Sequence, residues 1–571
     1  MKSYVRSAAS ALLALLLAAP PASAQWQTPN HSVPIGMGAG NTGFNNAAPG
    51  ATGGILTSNG PSADPSFSPL NGICSIGPSV CVALLGYANP AWYGGSTANA
   101  DNSAAFNAAA AAAKVVRVTD TSAPWMLTAS ILLNAGNRLE CANGAVIKRG
   151  NSATMTTMVN FYSNVATGAS LVGCTIDGNR ANNADDSNFY AVNVSTVDDV
   201  QILNNTIQNV PGSATNMAGL RPIVAGNTFN NVYQLAIAVT AVSPSTPQFA
   251  KVYNNRILGT AAHAIYLYQG DHNDIYDNTI DLPIALGGAG TPMNVTVSGT
   301  TATWVGGANF AGASAGMFLV VNGGFEAQIT QVVSNTQLTL SNGFSFTNVP
   351  AAIGPGDQIS VNSVSYNKIH GNRIYGGATG GVVLSNESAS TESAVGNQIY
   401  GNYAFDIGAY CYVIDGNPSF GSTVVNDTQL VGNYCIGPGR NYPGGAAPAG
   451  IQLYAGAGRV NGVLIDGNYV FDPFTLTGGY WLTSFGLNNA TNVTFGTNVS
   501  KGFANGASAL GYPTYASLPG GNPKGVRAFI IDGQGGNCGD GTCLTYGTSV
   551  GGGGGTLTVP VINIGTGWVR G

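Results

Sequence analysis

Charge is scarce in this chain. Asp, Glu, Lys and Arg together make up 8% of 571 residues, and glutamate occurs four times against twenty aspartates. The net charge of −5 denies it the basic face that nucleic-acid binding wants. The four histidines, His31, His263, His272 and His370, are scattered, and the eight cysteines show no zinc spacing, so no metal is expected from a His/Cys cluster. Helix-forming residues are sparse. Beyond the first residues no apolar run is long enough for a membrane helix. Disorder is a poor fit as well, because 44% of the residues are hydrophobic while the net charge is low.

What is plentiful is glycine, 81 residues, together with Asn, Thr, Ser and Val. That balance points to an all-β protein with many turns. Lys2 and Arg6 precede the apolar run 11–19, and Pro20-Pro-Ala-Ser-Ala24 ends in a small-x-small pattern. This reads as a secretory signal peptide over 1–24. A secreted, extracellular or periplasmic location is therefore expected, with no membrane partner after cleavage. Secretion permits disulfides. Cys74 with Cys81 and Cys538 with Cys543 flank short loops and suit local pairs. Spacing leaves Cys141, Cys174, Cys411 and Cys435 open to pairing or to simple burial.

A repeat organises the middle of the chain. Ile202-Leu-Asn-Asn205-Thr-Ile207, Val224-Ala-Gly-Asn227-Thr-Phe229, Val252-Tyr-Asn-Asn255-Arg-Ile257 and Ile275-Tyr-Asp-Asn278-Thr-Ile280 share one pattern. It returns at Asn372, Asn402, Asn433 and Asn468. The pattern is an apolar residue, two others, Asn, one variable residue and a second apolar residue. Asn205 to Asn227 is 22 residues, Asn255 to Asn278 is 23 and Asn372 to Asn402 is 30, each the length of one solenoid coil. Asn suits a sharp turn between strands because it tolerates left-handed dihedrals. Coils stacked about 4.8 Å apart would let successive Asn amides bond one another in a ladder. One coil cannot bury its own apolar face, so the repeats stabilise only together.

With these fragments the chain resembles the pectin-lyase-like family of right-handed parallel β-helices, which includes pectate lyases, polygalacturonases and phage tailspikes. Ala100-Asp-Asn-Ser-Ala-Ala-Phe106 and the poly-Ala run to Lys114 look like the family's entry helix, with Asp101 or Ser103 as its N-cap. Val115–Val118, Leu127–Leu133 and Leu139–Lys148 resemble the first coils. The expected fold is an all-β, single-stranded parallel β-helix over 95–505. It is preceded by a Gly/Asn-rich segment at 25–94 and followed by a C-terminal segment at 506–571. Asn278 to Asn372 spans 94 residues, far more than a coil, so a small β-domain is inserted over 288–356. Its clearest hairpin is Met317–Ile329, with Asn322-Gly323 at the turn. The flanks, including Gly54–Phe67 and Ala516–Trp568, resemble phage tail-fibre segments, with which a homotrimer would be compatible.

In this family the working groove lies on the first sheet. Ten residues past a ladder Asn stand the apolar Ile237, Ile265, Val382 and Tyr412. Alternation then places Thr240, Tyr268, Ser385 and Asp415 in one outward row. Matching by pattern adds Asn362 and Tyr454, while Tyr266 and Gln452 occupy the neighbouring row. Glu387 lies two residues beyond Ser385. One strand spacing and two residue rises put Asp415 and Glu387 roughly 8 Å apart, which fits the acid and base of an inverting glycosidase. Tyr266, Tyr268 and Tyr454 offer flat apolar faces for sugars, with Asn362, Ser385, Gln452, Asp271 and Arg459 as further substrate contacts. Asp271, His272 and Asp274, or Asp177 with Asp185 and Asp186, could hold calcium; no other cofactor is expected. The dense acidic calcium site of pectate lyases is missing. So is the polygalacturonase set of paired Asp, Gly-His-Gly and Arg-x-Lys. The resemblance thus implies a polysaccharide hydrolase or lyase, with a non-catalytic glycan-binding surface protein or tail-fibre-like adhesin as the alternative.

Overall fold

The computed structural model describes residues 77–162, 168–195, 197–240, 246–282, 293–321, 325–385, 393–416, 424–439, 449–454, 459–472, 483–488 and 490–501, plus the backbone of short strands outside them. The chain divides into two compact units, 1–80 and 81–571. In the first, Val33–Gly36 pairs antiparallel with Phe44–Ala47, and Gly54–Thr57 with Ser66–Pro69.

The second unit is a parallel β-helix. Three sheets of 11, 12 and 12 strands run its length, and each coil adds one strand to each sheet in sequence order. One coil shows the plan: Ile265–Tyr268 in the first sheet, Asp274–Tyr276 in the second, Thr279–Leu282 in the third. Period-2 alternation sends every second side chain inward, two from first-sheet strands such as Ile265–Tyr268 and one from three-residue strands such as Asp274–Tyr276, and parallel register stacks like on like. Ile202, Val224, Val252, Ile275, Ile369, Ile399, Leu430 and Ile465 lie directly over one another, all at most 1% exposed. Each contributes about 1.5–3 kcal/mol by leaving water. The inward residues of all three sheets form one continuous core.

The entry helix is Ser103–Ala112. It lays Phe106, Ala109 and Ala110 on the end of that core, and Phe106 meets Trp125 edge-on at 5.7 Å. A helix here covers strand edges that would otherwise stay open. Its N-cap is Asn102, neither Asp101 nor Ser103, and the Asn102 side chain makes no cap bond. Asp101 caps from one residue further out: its Oδ1 accepts from the Ser103 N–H at 3.0 Å and from the Thr128 N–H of the first coil at 2.9 Å. One carboxylate thereby ends the helix and ties it to the solenoid.

The ladder is continuous. Asn205, Asn227, Asn255, Asn278, Asn372, Asn402, Asn433, Asn468 and Asn498 each receive bonds from the preceding member's backbone N–H and side-chain amide, except that Asn205 receives its bond from the Cys174 N–H. The left-handed residue is not the ladder Asn but the one before it: Asn204, Asn254 and Asp277, with Gly in other coils, at φ of 53–66°. The reason is a division of labour. The first turn residue reverses the chain, and the second, in ordinary conformation, turns its amide into the stack. From Ser170–Val172 to Leu464–Asp466 two residues always separate the second-sheet strand from the third-sheet strand. A second, shorter ladder of Asn273, Asn367 and Asn397 runs between the first and second sheets: the Asn273 and Asn367 backbone N–H groups and the Asn367 side-chain amide donate to the next member's Oδ1, while the Asn273 side-chain amide donates to the Gly270 carbonyl.

Disulfides join adjacent coils at Cys141–Cys174 and Cys411–Cys435. Cys81 is also bonded; Cys74, Cys538 and Cys543 lie outside the described residues. Tyr412 fills a core position that Val382 and Ile451 occupy in the neighbouring coils. Its hydroxyl sits 3.0 Å from the Asn402 carbonyl and 2.9 Å from that of Tyr434, and burial pushes its pKa well above the usual phenol value.

Between the third-sheet strand Thr279–Leu282 and the first-sheet strand Ile359–Asn362 the chain builds a four-stranded antiparallel sheet with its own core of Met293, Val295, Leu319, Ile329, Leu338 and Ile353 among others. Phe318–Val321 pairs antiparallel with Phe325–Ser334; the turn at 322–324 lies outside the described residues. This insert rests on the turns that enter the first sheet. Val320 packs on Ala378 and Ala409, and the Phe318 ring reaches His263.

Candidate functional site

The first sheet's outer face is set by register. Thr240, Tyr268, Asn362, Ser385, Asp415 and Tyr454 are paired in succession, one per coil. Tyr266, Ser360, Val383, Val413 and Gln452 form the neighbouring row. Three strand spacings put Asp415 about 14 Å along the axis from Tyr268, and four put Gln452 about 19 Å from Tyr266. Asp415 sits on the Ser385 strand's neighbour, so those two are one strand apart. Glu387 lies outside the described residues, as do the side-chain surroundings of Tyr454.

The face is less open than an outward row implies. Asn362, Ser385 and Gln452 are buried, with exposures of 4%, 0% and 8%. They stand in the outward rows, next to the core residues Val361, Leu384 and Leu453. Asn362 Oδ1 accepts from the Ser363 hydroxyl at 2.9 Å, while Gln452 Nε2 donates to the Leu453 carbonyl at 3.1 Å. Both are engaged within their own coil. The Ser385 hydroxyl is buried with no hydrogen-bond partner among the described residues. Tyr266, Tyr268 and Asp415 are half-buried. Arg459, also half-buried, enters from the next turn: its backbone abuts Gly416, the residue after Asp415, where a Cβ would come within 3.0 Å of the Arg459 carbonyl.

Asp271, His272 and Asp274 do not converge. Asp271 Oδ1 accepts from the Ser365 N–H at 2.7 Å. Asp274 Oδ1 pairs with His370 Nε2 at 3.0 Å on the outside of the second sheet. There His370 stands in a parallel stack with Tyr276 at 5.2 Å and Tyr400 at 4.6 Å. In the other acidic loop, Arg180 takes Asp185 in two bonds of 2.7 and 2.9 Å, and Asp177 accepts from Gln208 and Asn209 at 3.3 Å. Among the described residues no three His, Cys, Asp or Glu side chains gather as a metal site. No helix among them is long and apolar enough to cross a membrane.

Two rings stand on this face that sequence reasoning did not find. His263 stacks on Tyr266 with centroids 5.6 Å apart and planes at 18°. Tyr266 stacks on Tyr268 at 6.0 Å and 13°. Phe318 of the insert closes on His263 at 5.8 Å. Phe318, His263, Tyr266 and Tyr268 thus form a track of rings crossing the sheet along one strand, from the insert to the turn. His263 Nδ1 also lies 3.3 Å from the Asp357 carbonyl where the insert rejoins the helix. No local pattern announces His263, because its role depends on a residue 55 positions away.

The family model described as right handed beta helix region matches residues 143–302. With the three-sheet coil, this shows a right-handed parallel β-helix. No curated protein sequence matches it. Among solved structures it is similar to the A-module of mannuronan C-5 epimerase AlgE6 from Azotobacter vinelandii, at 12% identity over 72% of this chain and 93% of that one, TM-score 0.49. It is also similar to PfbA, a surface adhesin of Streptococcus pneumoniae, at 10% identity over 84% and 99%, TM-score 0.48. The family 28 exopolygalacturonase of Yersinia enterocolitica gives 11% over 72% and 75%, TM-score 0.46.

Proposed function

We propose that this chain is a secreted protein acting on a polysaccharide that lies across the outer face of the first sheet. The observation that carries the reading is the track of Phe318, His263, Tyr266 and Tyr268. Flat rings with polar edges suit sugars, which present C–H faces and hydroxyls together. Beside the track the face carries amides, hydroxyls and Asp415 in register. On this reading Asp415 serves as general acid or base, with Glu387 as the second carboxylate of a glycoside hydrolase. Arg459, next to Asp415, would serve a lyase instead.

The second reading is a glycan-binding surface protein or adhesin without turnover. It is favoured by Asp415 being the one carboxylate among the described residues of the two rows. Purified full-length protein incubated with diverse polysaccharides separates the outcomes. New reducing ends without ultraviolet absorbance mean hydrolysis, and absorbance from an unsaturated product means a lyase. Retention on a glycan without either means binding alone. No binding and no product on any glycan refutes the proposal, and light scattering tests for the trimer expected of a tail-fibre-like protein.

A further inference from the structure

A second ridge of left-handed residues runs along the turns between the first and second sheets. In most coils the position is filled as that backbone prefers, by Gly168, Asp199, Gly396, Asp427 or Gly462, for instance. Glycine has no Cβ to clash there, and short polar side chains tolerate it. Four successive coils break the habit, with Arg221 at φ 54°, Phe249 at 54°, His272 at 61° and Tyr366 at 58°, and the last three are rings. A bulky residue at positive φ is a genuine outlier, which applies to Phe249 and Tyr366, whereas histidine visits this region more often.

The fold does not ask for these rings. The turn is held from within by the shorter Asn ladder. The Ala250 N–H donates to Asn273 Oδ1 at 2.8 Å, the Asn273 N–H to Asn367 Oδ1 at 2.8 Å, and the Asn367 N–H to Asn397 Oδ1 at 3.0 Å. Nor are the rings buried: Phe249 is 49% and Tyr366 52% exposed. They face one another in a row, Phe249 to His272 at 5.3 Å and His272 to Tyr366 at 5.0 Å, tilted by 42° and 33°. The row ends against Gly396, where a Cβ would lie 2.8 Å from the Tyr366 ring. Strain held at exposed positions, where the rings pack only on one another and on Gly396, suggests a place that serves binding.

We infer that Phe249, His272 and Tyr366 form a stacking platform for successive sugar residues of a polysaccharide, outside the first-sheet face. The inference rests on the polysaccharide reading above and adds a subsite to it. One ring per coil repeats at the strand spacing of about 4.8 Å, close to the length of one sugar residue in an extended chain. The row is one ring wide, and the ridge beside it carries the Asp199–Arg221 ion pair. It therefore lacks the contiguous apolar area that a protein partner would need. His272, the middle ring of the row, lies four residues after Tyr268, so one chain could leave the ring track and continue along the turns.

Glycine replacement separates a binding role from a structural one. Phe249→Gly and Tyr366→Gly remove the ring and relieve the backbone together. Full-length parent, both variants and the double variant are compared by affinity electrophoresis through gels holding alginate, polygalacturonate, xylan or dextran, and by thermal melting. Melting temperatures should stay level or rise. Affinity for whichever polysaccharide retards the parent should fall roughly three- to tenfold per ring removed, and Tyr366→Phe should retain it. Parent-like retardation of the double variant overturns the platform and leaves the polysaccharide reading standing. A lowered melting temperature in the glycine variants assigns the rings to the fold and also overturns it. A parent retarded by none of the gels removes both.

Discussion

Replacing Asn255 by Ala tests the ladder at a defined cost. The Asn255 Oδ1 accepts from the Asn227 backbone N–H and from its side-chain amide, both at 3.0 Å. Its Nδ2 donates to the Val224 carbonyl at 2.8 Å and to Asn278 Oδ1 at 3.0 Å. All four bonds vanish in Asn255→Ala. The Asn227 side chain keeps its bond to the Ile202 carbonyl, and Asn278 Oδ1 keeps the Asn255 backbone N–H. The ladder bond to the Asn227 N–H has no replacement, and that group is buried. An orphaned buried donor costs about 1–3 kcal/mol, and the other lost bonds about 1 kcal/mol net, giving roughly 2–4 kcal/mol. At roughly 2 °C per kcal/mol for a large domain, the melting temperature should drop by about 4–8 °C. The control is the adjacent residue: Asn254 is exposed and left-handed at φ 53°, so Asn254→Gly should melt with or above the parent. Calorimetry on the three proteins decides. If Asn255→Ala melts with the parent, the amide stack contributes nothing to stability and the reasoning is wrong.

The other predictions are shorter. Reducing Cys141–Cys174 and Cys411–Cys435, which close loops of 33 and 24 residues, should cost about 3–4 kcal/mol each, read as a lower melting temperature in reductant that Cys411→Ala with Cys435→Ala reproduces in part. Burial pushes the Glu140 carboxyl up, but hydrogen bonds and charge from Arg117 and Arg138 outweigh it and hold the pKa below 4.5. Asp101 is likewise held below 3.8, by Ser103 and Thr128 against burial. Depressed folded values mean stability that is present above the unfolded pKa values and lost as pH falls through the folded ones. Melting temperature should therefore be level down to about pH 5 and fall below it, with a shallower fall in Glu140→Gln. If the protein turns over a polysaccharide, Asp415→Asn should lose at least ~100-fold in rate with its melting temperature kept. Full activity would move the search for the catalytic acid away from Asp415.

The repeat was legible because its signal is local and recurs: an Asn flanked by inward apolar residues, eight times in order. Counting ten residues from each Asn also gave the register of Tyr268, Ser385 and Asp415, since alternation leaves no freedom once one inward residue is known. The left-handed residue was misplaced onto the ladder Asn because Asn suits both jobs; only coils with Gly before the Asn, such as Gly371-Asn372, separate them. The burial of Asn362 and Ser385 was not legible, because what covers an outer face is not written in the strand itself. His263 and Phe318 share the same difficulty, as partners brought together by an insert. Asp101 was read as a cap on sound grounds, yet the carboxylate reaches the helix from one position further out.

From Ser170–Val172 to Leu464–Asp466 the constant two-residue corner between the second and third sheets confines variation in coil length to the other two corners. The coils differ by whole loops, and the largest difference, the insert between Leu282 and Ile359, is taken up where the chain enters the first sheet. Both permissive corners border the first sheet, whereas the rigid one faces away from it. A solenoid built this way can lengthen, shorten or exchange the rims of a single face without disturbing the pitch of the stack. Loop transplants at those two corners should therefore be tolerated, and a one-residue insertion between His370 and Arg373 should not be.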